Sequence, residues 1–143
     1  MTEEIPVSPD RLDKDAEHLK LLAIFHFICA GLAGLGIGFL LLHYTLFSTF
    51  LTNPAFAGDK KLPFSPTEFF AVFRWFYLLM GALLTAGGVA NLLSATWIRA
   101  RRNRVGSMVV AGINCLHMPI GLGLGIFTLM VLSRDSVRRV YAS

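Results

Sequence analysis

The sequence predicts an all-α integral membrane protein, with two long transmembrane helices and a third apolar segment interrupted by proline and glycine. Three observations predict it. Of 143 residues, 55% are hydrophobic and 15% charged, whereas ordinary soluble domains carry about 25% charged residues. Residues 21–47, 69–97 and 105–132 are nearly free of charge, and each exceeds the roughly 20 residues needed to cross about 30 Å of hydrocarbon. The connectors are short beside the roughly 50 residues that a soluble catalytic domain needs, so any chemistry must sit in or at the membrane. Residues 1–18 are then an acidic cytoplasmic tail or interfacial helix, and residues 19–143 one helical membrane domain with spans near 19–47, 69–97 and 105–132.

The stretch "TEEIPVSPDRLDKDAEHLK" holds six acids against the three bases Arg11, Lys14 and Lys20. A cleavable signal needs a basic start and a short apolar core, so the first apolar segment is expected to stay in place. Ser8 and Pro9 suit an N-cap and first helical position. Leu12, Ala16 and Leu19 then share one face, which predicts a short interfacial helix leading into the first span.

Asn53, Pro54, Gly58, Pro63 and Pro66 mark the first connector as a loop, and Phe50, Phe56 and Phe64 give it apolar surface to bury. Ser65, Pro66 and Glu68 form the pattern of a capping box, so the second helix should start near Pro66. Its opening "FFAVFRWFY" reads as an aromatic belt at headgroup level, with Arg74 inside it. An ionisable residue in a span invites a functional reading, but snorkelling from the belt is the simpler account of Arg74.

The second connector, "RARRNR", is flanked tightly by apolar spans, which favours a cytoplasmic turn over nucleic-acid binding. Arg99, Arg101, Arg102 and Arg104 would there face anionic lipid headgroups. The third apolar segment contains Pro119 with Gly121, Gly123 and Gly125, and it can be read as one kinked span or as a broken, re-entrant pair. With the N-terminus cytoplasmic, a single crossing leaves seven basic residues inside against five outside. A return puts ten against two, as the positive-inside rule prefers. Arms of about 13 residues, or about 20 Å, would however be too short to cross.

Small residues recur every fourth position as Ala30, Gly34 and Gly38, and as Ala82, Ala86, Ala90 and Ser94. Such stripes let helix backbones approach closely in lipid, within one chain or between copies. The surplus of small surface points to a homo-oligomer. Asn91 lies eight residues before Arg99 and Asn114 ten after Arg104, so in antiparallel neighbours their amides share a depth and can hydrogen-bond.

His26, His43 and His117 raise a haem reading. His26 and His43 are about 25 Å apart along one helix and cannot share an iron, which leaves His26 or His117 paired across subunits as the cofactor-binding alternative. No haem-attachment motif, zinc-protease motif, nucleophile elbow or phosphate loop occurs, and Cys29 and Cys115 lie in apolar segments without a nearby base. No catalytic residue or metal site is expected. No aspartate or glutamate falls within a span, which argues against a transporter built on buried carboxylates.

The segments "PIGLGLGIFTLMVL", "RDSVRRVY" and "HLKLLAIFHF" resemble small multi-pass proteins of many bacteria described only as uncharacterised membrane proteins. The familiar form often has a threonine where this chain has Leu122. The resemblance implies a bacterial inner-membrane location and no particular activity. Two function classes follow from the sequence: a homo-oligomeric helical assembly that could enclose a pore, and a cofactor-holding or accessory subunit of a larger membrane complex.

Overall fold

The computed structural model describes residues 9–53, 65–117 and 120–141. Its elements are helices throughout: α1 (Pro9–Thr52), α2 (Pro66–Arg99), α3 (Arg104–Asn114), α4 (Ile120–Leu132) and α5 (Asp135–Val140). The acidic N-terminal stretch from Pro9 onward is the continuous start of α1 rather than a separate interfacial helix. Ser8, the connector from Pro54 to Phe64, and Pro119 lie outside the described residues. The second helix starts at Pro66, with Glu68 in its first turn.

Two helices are long and apolar enough to cross a membrane, and only 6% of the most apolar stretch of each is buried. Leu35, Phe39, Leu41, Trp75 and Leu79 are each at least 60% exposed, surface that water would penalise and that hydrocarbon would not.

The chain divides into two compact units, Met1–Ala30 with Val89–Ser143, and Gly31–Gly88. In the first unit, the start of α1, the end of α2, α4 and α5 bury a common core. Leu22, Ile98, Val131, Leu132 and Val137 are its most enclosed apolar members, and Cys29, Met108, Phe127 and Tyr141 pack against it.

The third apolar segment is two helices rather than one kinked helix. α3 has 11 residues and α4 has 13, about 16 and 20 Å long at 1.5 Å per residue, and they pack directly on each other. Close approaches fix an antiparallel register. A Cβ at Gly125 would strike the Ala111 carbonyl and Cys115 Sγ, and one at Gly121 would strike the Asn114 carbonyl and His117 Cβ. At the open end, Arg104 Nε donates to the Leu132 carbonyl at 2.6 Å, satisfying a carbonyl that the C-terminus of α4 leaves without a helical partner. Gly121 and Gly125 are therefore the contact face, while Gly123 has open space around it.

The arginine turn is equally defined. Arg102 N–H donates to Trp97 O at 2.9 Å and Arg101 N–H to Ile98 O at 3.2 Å, the paired bonds of a Schellman ending. That ending needs a left-handed residue, and Arg101 occupies it at φ 52°. Glycine would adopt this conformation freely, while a residue with a Cβ pays about 1–2 kcal/mol. Asn103 is also left-handed (φ 47°), and its side chain accepts from Gly106 N–H at 3.2 Å, capping α3.

In the second unit, α1 and α2 meet through small and large residues in alternation. A Cβ on Gly36 would lie 3.5 Å from Leu84, and one on Gly81 would lie 3.6 Å from Leu40. His43 Nδ1 and the Tyr77 hydroxyl share a hydrogen bond of 2.6 Å. The His43 ring stacks on Phe47, with Tyr44 edge-on to Tyr77.

Candidate functional site

A chain of polar side chains crosses the interior of the first unit, one from each of its four larger helices. His26 on α1 is fully buried, as are Thr128 on α4 and, on α2 and α3, Asn91 and Asn114 to within 6% exposure. Asn91 Nδ2 donates to Asn114 Oδ1 at 3.0 Å, and Asn114 Nδ2 donates back to Asn91 Oδ1 at 2.8 Å. The same Asn91 oxygen lies 2.8 Å from His26 Nδ1. An oxygen facing the ring makes Nδ1 the donor and leaves Nε2 as an acceptor in the neutral imidazole. Thr128 Oγ1 lies 3.3 Å from Nε2 and donates to its own helix at Leu124 O at 2.7 Å. The Thr128 hydroxyl proton thus has two acceptors within reach.

The periodicity that places these groups is simple. Ser107, Val110, Ala111 and Asn114 form the buried face of α3, and Gly121, Leu124, Gly125 and Thr128 belong to that of α4, both at helical spacing. Close approach at Gly121 and Gly125 brings α3 and α4 together, and His26 and Thr128 tie α4 to α1. Ser94 and Ser107 bury their hydroxyls in the first unit with no side-chain or backbone partner among the described residues. Sequence reasoning found the two asparagines from their matched depths. It missed Thr128 and the role of His26, because a partner 102 residues away leaves no local signal.

Both ring nitrogens of His26 face protein side chains, Asn91 at Nδ1 and Thr128 at Nε2, so a haem iron would have to displace one of them. His117 is exposed after α3, with Nδ1 3.4 Å from Ile113 O. Among the described residues, no group of three or more His, Cys, Asp or Glu could hold a metal. Arg74 is exposed, its guanidinium 6.0 Å from the Trp75 ring centre.

A second polar group lies ahead of the apolar run of α1. Asp15 accepts from Arg134 at 2.9 Å and, through its other oxygen, from the Ser136 hydroxyl, and Arg134 also lies 3.3 Å from His18 Nδ1. Burial would raise the Asp15 carboxyl, but the Ser136 and Arg134 hydrogen bonds and the nearby positive charge outweigh it and hold it below the ordinary 3.8. Close by in the fold, burial pushes the Tyr141 phenol up, against the opposing fields of Arg101 and Arg104.

The small-residue stripes separate into different roles. Gly34 and Gly38 are exposed, with nothing among the described residues within 4 Å of a Cβ placed there, and Ala82 and Ala86 are exposed as well. Ala30 and Ala90 are half-buried, and Ser94 is buried in the first unit. Gly36 is about 160° around α1 from Gly34 and Gly38, so the seam within the second unit runs on the opposite side of the helix from the stripe.

Neither a family model, a curated protein nor a solved structure matches the chain.

Proposed function

We propose that this chain is a polytopic protein of a bacterial cytoplasmic membrane that works as a homo-oligomeric helical assembly, with α3 and α4 as a re-entrant hairpin. The open face at Gly34 and Gly38 carries this reading. The seam between α1 and α2 in the second unit already uses Gly36 and Gly81, so the second small face is surplus to packing among the described residues. In lipid there is no hydrophobic force to cover such a face, and close backbone contact with another helix is a principal source of packing energy. A second copy supplies the same stripe, and Ala82 and Ala86 extend the small surface available to it.

The polar chain from His26 to Asn114 supports the re-entrant part of the reading. Helices of about 16 and 20 Å do not reach across 30 Å of hydrocarbon, and non-helical backbone between them must be covered by protein at that depth. Hydrogen bonds to α1 and α2 hold the hairpin against the long helices. Haem attachment through His26 would require breaking that chain, so the structural assembly is the reading the geometry favours over the cofactor-holding one.

The test compares Gly34→Leu with Leu35→Ala in lipid nanodiscs, by crosslinking and by particle mass. Gly34→Leu should dissociate the assembly while Leu35→Ala leaves it intact. Equal behaviour of the two variants, or a wild-type chain that is single in every nanodisc, counts against self-association. Co-purification with a stoichiometric different subunit would instead support the accessory role.

A further inference from the structure

We propose that the groove between the start of α1 and the end of α2 is a binding site for one anionic glycerophospholipid. The groove encloses about 480 Å³, within the size range of sites for small ligands. Lys20, Arg99 and Arg101 line it together with Ile24, Phe27 and Ile98, and among the described residues that line it none is acidic. Three cations beside an apolar floor match a molecule with a phosphate at one end and hydrocarbon at the other.

Position along the helices matches the same molecule. Lys20 immediately precedes the apolar run of α1, and Arg99 and Arg101 follow that of α2, the level at which headgroups sit. Ile24 and Phe27 lie one and two turns deeper, about 10 Å along α1 from Lys20 to Phe27. An acyl chain entering beside Ile24 would run over side chains already turned outward, since Ile24 is 46% exposed.

Arg101 supplies an independent observation. It occupies the left-handed position of the Schellman ending, where glycine would relieve the backbone. The Asn103 side chain repays its own left-handed backbone with a cap to Gly106. Among the described residues Arg101 makes no such local cap, and it lines the groove instead. Strain held at a ligand-lining residue is a recurrent mark of a binding site.

The inference rests on the membrane-spanning part of the proposed function and not on self-association. The full-length protein, stripped of lipid in a zwitterionic detergent, is titrated with phosphatidylglycerol or with phosphatidylcholine of the same chains. Native mass spectrometry counts retained lipid and reports the oligomer in the same spectra. Wild type should retain one phosphatidylglycerol per chain in preference to phosphatidylcholine. Arg101→Gly should fold at least as well by circular dichroism yet lower that preference about fivefold, the loss of one headgroup contact. Lys20→Gln should act similarly, and Ile24→Trp should displace the lipid while keeping all three cations. Inorganic phosphate, which lacks the acyl part, should compete only weakly. Equal retention of the two lipids by wild type, unchanged preference in Arg101→Gly and Lys20→Gln, full retention in Ile24→Trp, or displacement by phosphate alone would each overturn the assignment, whatever the oligomer count.

Discussion

The Asp15 carboxylate accepts a hydrogen bond from Arg134 at 2.9 Å, joining two residues 119 positions apart in sequence. Asp15 precedes the first apolar run and Arg134 follows the last, so the segments flanking the apolar part of the chain lie side by side. This contact supports the proposed re-entrant hairpin, in which α3 and α4 together add no net crossing.

A topology experiment follows. A reporter active only in the cytoplasm, fused after Ser143, should give signal, and one active only outside should not, because the proposed return is the topology for which the sequence counts ten basic residues inside against two outside. A strong external signal would mean that Asp15 and Arg134 do not meet in the membrane.

The Asp15 cluster also predicts a pH dependence. Its folded pKa is depressed below 3.8, so the unfolded chain takes up the proton first as pH falls. The cluster's contribution is complete above about 3.8 and is lost as pH drops through the lower folded value. Thermal unfolding in detergent should therefore show an acid loss in wild type that is absent from Asp15→Asn. Arg134 is 42% exposed on its side chain, and Arg134→Gln should cost only about 0–1 kcal/mol. An identical acid profile in Asp15→Asn would remove the carboxylate from this role.

Asn91 and Asn114 should be energetically coupled. Each single change to Leu should cost about 0.5–1.5 kcal/mol and the double change less than the sum, since both amides lose the same reciprocal pair. Equilibrium unfolding of the four proteins measures the cycle. Strict additivity would show that the two side chains act separately.

The glycines of α4 should divide by face. Gly125→Ala puts a methyl into the Ala111 carbonyl and Cys115 Sγ and should open the hairpin, with a loss of about 1–3 kcal/mol for a forced shift in a packed interior. Gly123→Ala meets open space and should stabilise the helix by up to about 1 kcal/mol. Matching losses at the two positions would place both glycines in the same environment and contradict the antiparallel register.

Much of the secondary structure was legible from local chemistry. The apolar runs, the capping pattern at Ser65 to Glu68 and the arginine turn each depend on neighbours a few residues away. The matched depths of Asn91 and Asn114 were legible too, because the turn between them is short and fixes the register of α2 against α3. The seam of the second unit was not. Gly34, Gly36 and Gly38 are alike as sequence, and only the packed neighbour Leu84 separates the glycine in contact from the two in the open.

By itself, then, the sequence determined helices, their approximate ends and the apolar character that suits them to lipid, since hydropathy and capping act over a turn or two. Tertiary structure decided that residues 105–132 fold into two packed helices, that His26 meets Asn91 and Thr128, and that Asp15 meets Arg134. Each of those choices balances alternatives of similar local free energy: a kinked helix against a hairpin, or an exposed histidine against a buried one. The balance is set by partners as far as 119 residues away, whose contacts exist only once the chain has folded and local helical preference has nothing further to select.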